Sequence, residues 1–451
     1  MPTRARTQIF VASTLYGAAT LAAALDADRF APAGRRLLLL SNNATTPETT
    51  ASLDTMPGFE RLRGRFDRVL SWNETISPFH PGGWSPRADD VPLWERHLRL
   101  LWGLGDDQVE LVVESIQVNP ALAIAQLFPD APIEVYADGL MSYGPTRNKL
   151  DPLVGTRIGR LLHLDLVPGL APLLLTEFDV PAETVPTDAF TKVLSELADV
   201  SGPLDLPEGG ALLLGQYLSA LGILTPEEEE ELHVRMVRGA AGRGHREIVF
   251  KPHPSAPARW SRLLEREAEK LDVALTVLDS PVLAEVVYQR MRPALVVGCF
   301  STALLTAATF YGLPVARTGT DLLLERLTPY QNSNRMPVTL VDALVPDLAD
   351  TGERPPTIAT AASVEGLVAA VGYAMQHQIY PELRPAAERY LAAHLDARTW
   401  RYFKRRRLTA LALPGAIPSQ LSFIPRNAAV RRVARRARAV QRRLKKRAVF
   451  G

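Results

Sequence analysis

Three short clusters in the sequence carry residue types suited to moving a phosphate-activated group. Lys251-Pro252-His253-Pro254 follows the apolar run Ile248-Val249-Phe250. An imidazole titrates near neutrality and can donate to a phosphate oxygen as charge grows there, and Lys251 adds positive charge beside it. The flanking prolines restrict the backbone, so the ring is held in place. Gly298-Cys299-Phe300-Ser301-Thr302 follows Ala294-Leu295-Val296-Val297. Hydroxyls at a strand-to-helix turn lie beside unpaired amides at the positive end of a helix dipole, where phosphate binds well. The third cluster, Glu134 to Leu140, ends an apolar run with Asp138-Gly139. A carboxylate there can take a proton from a hydroxyl. Each cluster alone has a plainer reading: Ser and Thr cap helices, prolines end strands, and Asp-Gly makes turns. A second His-Pro occurs at His80-Pro81. Lys251–Pro254 is preferred because it ends a strand of the same sheet as the Ser-Thr turn.

The surrounding elements must bring these clusters to the ends of parallel strands, where open α/β sheets hold ligands. Apolar runs over Gln8–Ser13, Leu37–Ser41, Val69–Trp72, Glu110–Glu114 and Ile133–Tyr136 read as strands. Helical patterns over Val91–Leu104 and Pro120–Leu127 lie between them. A second alternating series follows. Its strands are Ala211–Leu214, Glu247–Phe250, Ala274–Leu278 and Ala294–Val297, and Leu313–Ala316 closes it. Its helices start at Thr225-Pro226 and cover Ala256–Leu271, Pro281–Tyr288 and Thr302–Tyr311. Such alternation predicts parallel sheets with helices on both faces. Pro203, Pro207, Gly209 and Gly210 mark a linker between the two series. The expected fold class is α/β of the two-domain GT-B type, with two Rossmann-like sheets facing a cleft; that step is analogy at fold level. The expected division is 1–205, an acceptor domain; 206–375, a nucleotide-sugar donor domain; 376–412, helices packing back on the body; and 413–451, a linker and basic tail.

The 451 residues suffice for two or three domains, and one cysteine, Cys299, excludes an intrachain disulfide. A net charge of +2 conceals an asymmetry: residues 401–451 hold sixteen Lys or Arg and no acid, which leaves the rest at −14. Within 426–451, Val430, Val433, Ala437, Val440 and Leu444 recur at helical spacing on a strongly basic background. That pattern suits an anionic membrane surface; a solvated tail and nucleic-acid binding are the alternatives, and the acidic body opposes the last. Ile9 to Leu25 is uncharged behind Arg4 and Arg6, as in a signal peptide. The preferred reading is a buried strand, a turn at Thr14-Leu15-Tyr16-Gly17 and an Ala/Leu-rich helix, with the protein cytoplasmic. The chain offers no Cys/His metal spacing. Asp26-Ala27-Asp28 reads as a solvated helix end, and His97 and His163 read as structural.

An acid before glycine in the first half, a His-Pro in the second and a later Ser-Thr pair resemble the bacterial sialyltransferases. The α-2,8-polysialyltransferase family is the nearer resemblance, over roughly residues 7–345. Thr7–Leu15, Trp72–Trp84, Val113–Tyr143, His163–Pro168 and Phe300–Pro314 carry it. The resemblance implies an inverting, metal-independent enzyme without cofactor. It would use a CMP-activated sialic acid or related nonulosonic or ulosonic acid and a glycan or glycolipid acceptor. By position, Asp138 matches the catalytic base. His253 matches the histidine that contacts and protonates the CMP phosphate, with Lys251 beside it. Ser301 and Thr302 match the phosphate-binding hydroxyls. Gly215 and Gln216 would line the nucleotide pocket, and Glu285 would accept hydrogen bonds from cytidine or ribose. The family's acidic-acidic-glycine motif departs here at Ala137, which leaves the reaction class in place and opens the identity of donor and acceptor.

Two further readings compete. A CDP-glycerol-type polyol-phosphate transferase of teichoic-acid synthesis also uses a His-Pro and a hydroxyl pair, but usually with an Asp shortly before the pair, where this chain has Gly298-Cys299-Phe300. A non-catalytic sugar-nucleotide or membrane-binding adaptor is opposed by the intact His253, Asp138 and Ser301.

Overall fold

The computed structural model describes residues 5–202, 204–253, 259–350 and 361–416. The first half builds a seven-stranded sheet from β1 (Arg6–Ala12), β2 (Arg35–Leu40), β3 (Arg68–Ser71), β4 (Gln108–Glu114), β5 (Ile133–Ala137), β6 (Ile158–Leu164) and β7 (Ala182–Val185). Their order is β3-β2-β1-β4-β5-β6-β7, parallel throughout. The second half builds a five-stranded parallel sheet from β8 (Ala211–Leu214), β9 (Glu247–Lys251), β10 (Ala274–Val277), β11 (Leu295–Gly298) and β12 (Val315–Arg317), in the order β10-β9-β8-β11-β12. In each sheet the first strand is central and the winding reverses beside it, between β1 and β4 and between β8 and β11. Ligands gather outside the carboxyl ends of strands at such switch points. This is the GT-B architecture.

The expected strands recur within a residue or two, because period-two and continuous apolar runs bury both faces of a parallel sheet. In β1, Phe10 and Ala12 join the apolar cluster on one face and Ile9 and Val11 the cluster on the other. The run Ile9–Leu25 therefore forms a central strand and the helix Leu15–Asp26, whose cap Thr14 accepts from the Gly17 amide. β6 and β7 are additions. Arg160 on β6 pairs with Glu134 on β5 at 2.7 Å and Glu183 on β7 at 3.0 Å, a cross-strand ladder of charges. The helix expected over Pro281–Tyr288 spans Ala284–Met291, and Val91–Leu104 is helical only to Leu101. Helices Thr320–Arg326 and Arg335–Leu344 were not expected.

The cluster containing Phe10 and Leu38 runs without a break into that of Leu213 and Val297, so one core joins both halves. Across the junction Phe190 of helix Thr187–Val200 meets Tyr16 and Phe310 edge-on, and Thr309 donates to the Leu166 carbonyl at 3.0 Å. The chain then returns. After helix Ala361–Gln376, Tyr380 bonds Thr146, the Leu173 carbonyl and Glu177 of the first half. The basic tail expected over 426–451 lies outside the described residues. Among the described residues no helix is long and apolar enough to cross a membrane.

Candidate active site

The C-terminal ends of β9, β8 and β11 form one row in the second sheet, and the predicted phosphate residues stand on it. Lys251 ends β9, Gly215 and Gln216 follow β8, and Ser301-Thr302 follow β11. Internal bonds tie the row together. The Gly215 amide donates to the Lys251 carbonyl at 2.9 Å, and the Phe300 amide to Gln216 Oε1 at 2.8 Å. A side chain at Gly215 would meet the Phe250 ring at 2.9 Å and Pro252 Cα at 3.2 Å, so the turn requires glycine. Both residues expected to line a nucleotide pocket thus make structural contacts, with the Gln216 amide oxygen engaged by Phe300.

Ser301 caps the ten-residue helix Thr302–Tyr311, with extended backbone and its hydroxyl accepting from the Ala303 amide at 3.3 Å. Thr302 begins that helix, where free amides and dipole favour an anion. His253 leaves β9 by way of Pro252 and keeps an exposed ring, 6.4 Å from that of Tyr217. The surrounding protein, and then the charge of Lys251, push the imidazole below its ordinary value. Lys251, the last residue of β9, is only 8% exposed and donates to the Ser280 carbonyl at 3.3 Å. Burial pulls its ammonium down to about 8, against the opposing pull of Glu285 and Asp279. Glu285, on helix Ala284–Met291, is 3% exposed. Burial pushes its carboxyl up to about 7, while its own amide, Lys251 and the Thr306 hydroxyl favour the charged form.

Asp138 follows β5 in the first sheet, half-buried at the carboxyl edge. Its Oδ2 and the Tyr136 hydroxyl crowd the place a Cβ would take on Gly17, at 3.2 and 3.1 Å, so a side chain there would push on both groups. Burial and the charge of Glu114 raise the Asp138 carboxyl to about 7. Glu114, at the end of neighbouring β4, accepts a 2.5 Å hydrogen bond from Ser13 at the end of β1. Sequence reading treated Glu114 and Ser13 only as strand ends. A polar residue closing each apolar run was the available signal.

The two sheets meet at these residues. The Leu140 amide donates to Thr302 Oγ1 at 3.4 Å, and the same oxygen stands 3.3 Å from where Gly139 would carry a Cβ. One helix turn on, Tyr16 of the first half and Thr306 of the second share a 3.3 Å hydrogen bond. The fold therefore brings Asp138-Gly139 against Ser301-Thr302, some 160 positions apart. The other His-Pro is elsewhere, with His80 Nε2 2.8 Å from the Ala44 carbonyl. His163 is buried on β6, its Nδ1 3.1 Å from the Leu164 carbonyl. Asp26 ends its helix paired with Arg65 at 2.5 Å. Among the described residues no group of three His, Cys, Asp or Glu side chains could hold a metal.

Solved structures similar to the chain come from several glycosyltransferases. Phytolacca americana UGT2, complexed with UDP-2-fluoro-glucose and pterostilbene, is 12% identical with a TM-score of 0.43, covering 90% of this chain and 99% of that one. Acinetobacter baumannii MurG is 11% identical with a TM-score of 0.40, covering 86% and 95%. The GT-B domain of a Photobacterium damselae sialyltransferase is 12% identical with a TM-score of 0.39, covering 74% and 96%. No curated protein sequence matches. The model of one family, alpha-2,8-polysialyltransferase, matches residues 8–320, from β1 through the close of β12 and so across both strand-end rows. The chain is a glycosyltransferase of the sialyltransferase type and belongs to the alpha-2,8-polysialyltransferase family.

Proposed function

We propose that this chain transfers sialic acid, or a related nonulosonic or ulosonic acid, from a CMP-activated donor to a hydroxyl of a surface glycan, with inversion and without metal. The observation that supports this reading is the Leu140–Thr302 contact, which brings the turn after Asp138 in one half against the helix start of the other. In the reaction, the acceptor oxygen forms a bond to the anomeric carbon as the bond from that carbon to the phosphate oxygen breaks. Asp138 takes the acceptor proton, and the electron pair leaves with CMP. Inversion follows from attack opposite the leaving group. Ser301, Thr302 and the first amides of their helix receive the phosphate, and His253 donates to it as charge develops. Lys251, while protonated, supplies positive charge to the same strand-end row, in the role a divalent ion has in other transferases. Glu285, beneath the same row, is assigned to the cytidine or ribose hydroxyls. Gly215 and Gln216 shape the pocket floor by holding the loops.

The acceptor is a glycan or glycolipid at the inner face of the cell membrane, reached by a cytoplasmic protein held peripherally through the basic residues 426–451. Nucleic acid is not a partner in this reading. The experiment is Asp138→Ala with CMP-sialic acid and a short α-2,8-linked sialic acid oligomer. Transfer should fall by at least ~10³-fold while CMP still binds, as measured by calorimetry. Full turnover by that variant would overturn the assignment of the base. Parallel hydrolysis of CMP-, CDP- and UDP-sugars tests the donor class: release from CDP-glycerol alone would instead support a polyol-phosphate transferase.

A further inference from the structure

The switch point of the first sheet holds a second carboxylate that the proposed reaction has not used. Glu114 closes β4, the strand between β1 and β5. Its register partner on β5 is Tyr136, two residues before Asp138, so the two carboxylates flank the Tyr136 position on adjoining strand ends. Three contacts fix the arrangement. Ser13 donates to Glu114 at 2.5 Å, the Tyr136 hydroxyl donates to the Val11 carbonyl at 2.9 Å, and the Ser115 amide donates to the Tyr136 carbonyl at 2.9 Å. Beyond Glu114 the chain turns sharply, with Ser115 and Ile116 both at positive φ, 60° and 46°. Such a conformation is strained for residues with a side chain and needs surroundings that impose it. The turn directs the chain away at the strand end and leaves the Glu114 carboxylate half-buried beside Ser13 at the same edge as Asp138.

We propose that Glu114, anchored by Ser13, is the positioning residue that equips Asp138 to take the proton of the acceptor hydroxyl. This rests on the reading of Asp138 as base. Two nearby carboxylates in a poorly solvated site resist ionising together. Burial raises the Glu114 carboxyl, and the Ser13 hydroxyl opposes that by favouring its charged form, so the shared proton is assigned to Asp138. Asp138 then loses it near neutrality, where a base both exists in the right form and holds a proton strongly. The other titratable groups facing Asp138 are Tyr16 from helix Leu15–Asp26 and Tyr136 from its own strand, both raised well above the ordinary phenol range by burial. His163 on β6 is the register neighbour of Ala137 and is shifted downward by burial, which favours its neutral form. Burial raises the proton affinity of Asp138 first, and Glu114 is the neighbouring charge that adds to it.

The test is the pH profile of kcat with CMP-sialic acid and a sialic acid oligomer, comparing wild type with Glu114→Gln, Glu114→Ala and Glu114→Asp. The wild-type acid limb should lie near pH 7. Removing the charge should move it to lower pH by about one unit, in both Gln and Ala variants, with KM for the donor little changed. Glu114→Asp should restore the limb. A purely structural role would lower the folded fraction or the plateau without moving the limb. An unmoved limb in both neutral variants, at unchanged melting temperature, overturns the proposal. Because two neutral side chains of different size are used, loss of folding in one leaves the other to decide. Asp138→Ala separates the two readings: if it is inactive and the Glu114 limb stays fixed, only the role of Glu114 fails.

Discussion

At the residue scale, the chemistry depends on how burial sets the charge of a few groups. Lys251 is the sharpest case. Buried at the end of β9, its ammonium is drawn down to about 8 even with Glu285 and Asp279 nearby. If that ammonium helps hold the donor phosphate, its charge is present below pH 8 and lost above it, so CMP affinity should weaken as pH rises through that value. The expected loss between pH 7 and 9 is about tenfold, read by calorimetry. Lys251→Met should bind CMP more weakly at pH 7 and lose the pH dependence; a wild-type affinity flat across this range would place the phosphate's counter-charge elsewhere. The motif residues were legible one by one, because a histidine between prolines and hydroxyls at a strand-helix turn carry their chemistry in their identity. Glu114 and Ser13 were not, because a carboxylate becomes informative only beside another charged or polar partner, and the Ser13 bond that anchors Glu114 spans 101 positions.

At the scale of elements, the site depends on strand ends staying in line. The edge strand β12 ends in Arg317, and the Thr318 amide donates to the Gly298 carbonyl at 3.0 Å, which ties this edge to the loop bearing Ser301 and Thr302. Arg317 is held by Asp347 at 2.8 Å and by Asp342 at 3.2 Å. Asp342 also accepts from Thr320 at 2.6 Å and the Tyr402 hydroxyl at 2.8 Å. Replacing Asp342 by alanine would strand these buried donors, and stability should fall by about 3 kcal/mol, measured by urea denaturation. A loss under ~0.5 kcal/mol would mean the network contributes little. Helices 320–326 and 335–344, which build this network, escaped the sequence reading, as did β6 and β7. β6 carries Gly159, Arg160 and His163, and β7 is four residues long with Glu183 at its centre. Their polar residues break the apolar run, and the cross-strand pairing of Arg160 that neutralises them is a tertiary fact.

At the scale of the whole molecule, one core continues from the first sheet into the second, and the chain crosses back to bond the first half through Tyr380. The halves are therefore joined through Tyr380 as well as at Leu140–Thr302. Charge is distributed just as unevenly, with sixteen basic residues and no acid after position 400. Binding to vesicles of anionic lipid should fall steeply as salt rises, since surface charges are screened within ~10 Å at 0.1 M salt. It should vanish when the chain is truncated after Phe423. Binding that persists in the truncated chain would move the contact to the body.

By itself the sequence determined the parallel α/β character of both halves, since apolar runs alternating with helical periods have few other ways to bury their faces. It also determined which residues could handle a phosphate and which could accept a proton. Tertiary structure alone decided that these meet. The strand order brings β9, β8 and β11 into one row and β4 beside β5, and the junction of the halves sets Asp138-Gly139 against Thr302. Proximity between distant segments follows from register and packing, which no local pattern encodes, so the candidate base and the candidate phosphate hydroxyls became one site only in the folded chain.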